Sequence, residues 1–140
     1  MSARAALPFS AQARHIVHWV YSTYGAWPAE SLVQRLQHCV FQGLADMDNV
    51  FRTCGRRLGD RQLGQAQIAS QLFLEAYAGL AADAIRRKAT TWKLVPKLHQ
   101  VQHMLYQHAP QANPRSVHCY AEEDLVRACA SPTAQAHYSR

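Results

Sequence analysis

Between Trp92 and Arg127 the chain gathers four of its eight histidines, one of its four cysteines and its one run of three acids. His99 and His103 are four residues apart, the helical spacing that lets two imidazoles reach one metal ion. His118 and Cys119 arrive from beyond a loop as a third and fourth donor. His99, His103, His118 and Cys119 are therefore the candidate site for zinc or another divalent metal. The set lacks the short paired spacing of zinc modules and the glutamate of an H-E-x-x-H helix, and histidines so placed also serve as core-edge groups bonding helix ends. The acids Glu122, Glu123 and Asp124 are the candidate catalytic carboxylates. A two-metal phosphoryl-transfer centre needs two or three convergent acids, whereas Glu30, Asp46, Asp48, Asp60, Glu75 and Asp83 all read as helix surface or cap positions. Three carboxylates in the first turn of a helix also suit its dipole. No G-x-S-x-G and no P-loop pattern is present.

Helices must position these residues. Ser10 caps a first predicted helix with apolar positions Ala13, Ile16, Val17, Val20, Tyr21 and Tyr24, stopped at Gly25. Pro28 opens a second, whose stripe Leu32, Val33, Leu36, Val40 and Leu44 continues through Met47, Val50 and Phe51 to Gly55. Gly43 lies inside it as a point of bending or breakage. After the turn 55–60, with Asp60 placed to cap, the longest helix runs from Arg61 to about Lys88 on Leu63, Ala66, Ile68, Ala69, Leu72, Phe73, Ala76, Tyr77, Leu80, Ala84 and Ile85. Pro96 opens a fourth helix, Lys97 to about His108. Asn113-Pro114 signals a turn, and a last helix spans roughly Ala121 to Cys129. Trp19, Trp27 and Trp92 fall on apolar stripes with most tyrosines and read as core. No segment alternates with period two, so no strand is expected.

The chain of 140 residues, 49% hydrophobic and 17% charged, suits one globular domain. The expectation is an all-α, irregular bundle of about five helices, two of them long. It occupies residues 10–130, with a flexible start at 1–9 and a flexible tail at 131–140. The cysteines Cys39, Cys54, Cys119 and Cys129 form no C-x-x-C pair, which fits a reduced intracellular compartment without distinguishing nucleus, cytoplasm or organelle. There is no apolar leader and no run long enough to span a membrane, so the chain should be soluble. Its net charge of +6 favours polyanionic partners. The candidate nucleic-acid contacts are Arg56, Arg57, Arg86, Arg87, Lys88, Lys93 and Lys97, with Arg52 and Arg61 beside them. Arg86, Arg87 and Lys88 also suit the end of a helix for dipole reasons alone.

The string P-K-L-H-Q-V-Q-H at 96–103, followed by N-P-R-S-V-H-C-Y-A-E-E-D-L-V at 113–126, resembles a motif near the C-terminal end of eukaryotic DDE-type transposases and of transposon-derived open reading frames. Those carry a Pro-Lys-x-His-x-x-x-His helix and an acid on a later helix. The resemblance implies that the chain corresponds to the helical carboxy-terminal piece of an RNase H-like enzyme, with Glu122, Glu123 or Asp124 standing for the last metal-binding acid. It also implies a fragmentary or domesticated copy. That fold holds its first two acids on a β-sheet that this sequence does not offer, so the isolated chain is expected to be non-catalytic. Three functions follow: a transposase-like helical module contacting nucleic acid, a helical subunit of a larger protein assembly, or a histidine-rich metal-binding domain. The first two need no cofactor.

Overall fold

The computed structural model describes residues 11–117, with side chains from Arg14 to Ser116. Over that span the all-α expectation holds, and no strand occurs among the described residues. Four α-helices are present among the described residues: α1 (Ala11–Gly25), α2 (Leu32–Thr53), α3 (Asp60–Arg86) and α4 (Pro96–His103). A π-helical turn, Met104–His108, continues α4, and a 3-10 turn covers Pro114–Val117. The expected fifth helix, Ala121 to Cys129, lies outside the described residues.

Helices α2 and α3 form the framework. Ser31 starts α2 with a reciprocal capping box: Gln34 N–H donates to Ser31 Oγ at 3.2 Å, and Ser31 N–H donates to Gln34 Oε1 at 3.1 Å. The helix thus opens later than predicted, and Pro28 lies in the preceding connection. Gly59, rather than Asp60, is the N-cap of α3; Asp60 is the first helical residue, where its charge suits the dipole.

Val40, Leu44, Met47 and Phe51 from α2 meet Ala66, Ala69, Phe73, Ala76 and Leu80 from α3, and Val101 and Leu105 close the core. Each fully buried large apolar side chain contributes about 1.5–3 kcal/mol. Gly43 does not break α2, which runs through it from Leu32 to Thr53. A Cβ there would lie 2.6 Å from the Ala69 carbonyl oxygen and 2.9 Å from Phe73 Cβ. The missing side chain is what lets the two backbones approach.

Charge as well as apolar contact docks α1 on α2. Val17 packs against the core, and Asp48, read from sequence as a surface acid, is buried. His18 Nε2 lies 2.8 Å from one of its oxygens. Arg14 Nε lies 2.9 Å from the other, a charge contact without hydrogen-bond alignment. Only part of the predicted α1 stripe faces inward, and Ile16, Tyr21 and Tyr24 are exposed. Trp19 and Trp27, expected in the core, are 65% and 62% exposed. Trp92 does pack inward, its ring edge-on to Tyr77 at 5.4 Å.

The α3–α4 connection begins with an αL residue that is not glycine. Lys88 has φ of 54°, its N–H donates to Ile85 O at 3.1 Å, and Ala89 N–H reaches back to Ala84 O at 2.8 Å. These are the two bonds of a Schellman cap.

Candidate functional site

The arginines expected to contact nucleic acid fall into two groups at opposite ends of α3, roughly 40 Å apart at 1.5 Å rise per residue. At the α2–α3 junction stand Arg52, Arg56, Arg57 and Arg61, all exposed, together with Arg115 of the 3-10 turn. Arg115 was absent from the sequence-derived candidates. Asn113 joins these segments. Its backbone N–H donates to Arg56 O at 2.8 Å, and its side-chain oxygen accepts from Arg115 N–H at 3.1 Å. The Asn113 side-chain amide donates to Phe51 O and Gly55 O, both at 2.8 Å, and lies 3.3 Å from Cys54 O.

These carbonyls sit at the C-terminal end of α2, where no intrahelical donor remains, so Asn113 supplies the cap from the far end of the chain. Asn113 itself is 2% exposed. Among the described residues no carboxylate pairs with Arg56, Arg57, Arg61 or Arg115, and Asp60 is the only acid within this stretch of α2–α3.

The second group, at the C-terminus of α3, is partly neutralised. Asp83 accepts from Arg87 Nε at 2.7 Å and from Arg86 Nη2 at 3.2 Å. Lys88 and Lys93 are exposed nearby and Lys97 is half-buried on α4.

The histidine pair comes together as its spacing implies. His99 and His103 Nε2 atoms are 2.8 Å apart, with the rings edge to face. His118 and Cys119, the other two candidate ligands, lie outside the described residues, as do Glu122, Glu123 and Asp124. Among the described residues no group of three or more His, Cys, Asp or Glu could hold a metal ion. His108 is exposed at the end of the π-helical turn.

Arg14, His18 and Asp48 were missed as a set. The signal was the four-residue spacing of Arg14 and His18 on one face of α1. The neighbouring Asp46 carboxyl is raised above its ordinary value, chiefly by burial, against the lowering effects of a Gln42 hydrogen bond and the His18 charge. No helix among the described residues is long and apolar enough to cross a membrane.

Comparison with protein-family models, curated proteins and solved structures finds no match to this chain.

Proposed function

We propose that this chain is a non-catalytic helical module, transposase-like in its α4 and Asn113 motifs, that contacts nucleic acid through the arginine-bearing α2–α3 junction. One observation carries the reading: four exposed arginines, Arg56, Arg57, Arg61 and Arg115, stand without a carboxylate partner among the described residues. Asn113 ties the two segments that bear them. Guanidinium groups can give planar, bidentate hydrogen bonds to phosphate oxygens. The tie lowers the entropy lost when they converge on a backbone. The α3 C-terminal group contributes less, because Asp83 already engages Arg86 and Arg87.

Fluorescence anisotropy with labelled DNA and RNA oligonucleotides tests the reading. Arg56→Glu/Arg57→Glu is expected to weaken binding at least about tenfold, and Arg86→Glu/Arg87→Glu to weaken it less. Absence of binding at low salt, or equal loss in the two variants, contradicts the assignment.

A second reading, a subunit in a protein assembly, draws on a different face. Ile16, Trp19, Tyr24, Trp27 and Leu32 are all exposed along α1 and the start of α2. A concentration of apolar surface of this kind marks protein contacts. Concentration-dependent association that Trp19→Ser removes would favour it, and a strictly monomeric chain at high concentration would count against self-assembly through this face.

A further inference from the structure

We propose that His99 and His103 form a two-imidazole chelate for a single late first-row divalent cation, Cu2+ or Ni2+, on the surface of α4. The two Nε2 atoms stand 2.8 Å apart. With metal–imidazole bonds of about 2.0 Å, ligands at a right angle are separated by about 2.8 Å, whereas tetrahedral ligands are separated by about 3.3 Å. The separation set by this hydrogen bond also matches adjacent positions in a square or tetragonal coordination plane, the geometry Cu2+ and Ni2+ adopt, so the pair need not spread to hold either ion.

The rings are borne by a rigid element. Leu98 and Val101, which flank His99 on α4, pack on the core, so the backbone separation of the two histidines is fixed. His99 is exposed and His103 is half-buried, which leaves one side open to solvent for the remaining positions. The π-helical turn begins at Met104, directly after His103, and such turns recur at functional sites.

Binding needs no reactant beyond the cation. In the metal-free chain one Nε2–H donates to the other Nε2. On binding, that proton moves through water to Nδ1 of the same ring, so both Nε2 lone pairs face the cation and each imidazole stays neutral.

Calorimetric titration of the full chain with Cu2+ or Ni2+ salts near neutral pH tests this. One equivalent is expected to bind with an affinity that falls at least about tenfold in His99→Gln and again in His103→Gln, and that is unchanged in His108→Gln and His15→Gln. For Cu2+, electron paramagnetic resonance should show an axial signal with two coupled nitrogens that is lost in either pair variant. Circular dichroism of the variants should match the parent. Unchanged affinity in both pair variants, or no binding tighter than about 1 mM, overturns the proposal.

Discussion

The backbone N–H of Asn113 donates to the carbonyl oxygen of Arg56 at 2.8 Å, fastening the segment after α4 to the end of α2. The same side chain caps the carbonyls of Phe51 and Gly55. Asn113 thus does two things at once: it completes a helix terminus and it sets the frame for the arginines around it.

Removing that amide should destabilise the whole chain. Asn113→Ala leaves the buried Phe51 carbonyl and the part-buried Gly55 carbonyl without this donor and is expected to lower the free energy of unfolding by about 2–3 kcal/mol, read by urea denaturation. Asn113→Asp should be at least as damaging, because a carboxylate cannot donate to those oxygens. An alanine variant within about 0.5 kcal/mol of the parent would show that the cap is dispensable.

Gly43 offers a test in which the expected sign is reversed. In an exposed helix interior, Gly→Ala stabilises by about 1 kcal/mol. Here the added methyl meets the Ala69 carbonyl and Phe73 backbone of α3. Gly43→Ala is therefore expected to destabilise by about 1–3 kcal/mol through overpacking. A rise in thermal midpoint would show that α2 and α3 are not so close.

These two residues also mark where sequence reading succeeded and where it stopped. The apolar period set out α2, α3 and the Pro96 start of α4, because those patterns are local and repeat along one face. Gly43 could be read only as a weak helix former, since its role depends on which backbone crosses it. Asn113-Pro114 was legible as a turn. Its action as a cap for α2 was not, because the partners Phe51, Cys54 and Gly55 lie far away in sequence. Trp19 and Trp27 misled for the opposite reason: the spacing of aromatic residues looks alike whether a stripe faces the core or the solvent. Of the candidate site, the four-residue pair His99 and His103 was readable, as was the split of the basic residues between the two ends of the predicted helix from Arg61 to about Lys88; the place of Arg115 in the first group was not, because Asn113 ties it there through Arg56, far away in sequence.

Lys88 occupies the αL position of the α3 cap with a side chain that disfavours it. Lys88→Gly is expected to raise stability by about 1 kcal/mol, measured as a shift of the urea midpoint at constant slope. Loss of stability would mean that the Lys88 side chain holds contacts worth more than the backbone relief.

Asp46 makes stability depend on pH. Burial, opposed by Gln42 and His18, raises its folded-state value above the ordinary 3.8. Between those two values the folded chain holds more protons than the unfolded one, so this group's contribution falls as pH rises through the window. Above the window the ionised carboxylate costs stability. Asp46→Asn should therefore raise the thermal midpoint at neutral pH, with the gain vanishing near about pH 3. A gain that persists at acid pH would place the effect elsewhere.

The most direct test of a nucleic-acid-binding junction is the salt dependence of oligonucleotide affinity. If Arg56, Arg57, Arg61 and Arg115 each neutralise a phosphate, the logarithm of the association constant should fall with the logarithm of salt at a slope of roughly −3 to −4 on duplex. Arg57→Gln/Arg115→Gln should reduce that slope by about 2. A slope near zero, or one unchanged in the double variant, would contradict the assignment of these arginines to phosphate contact.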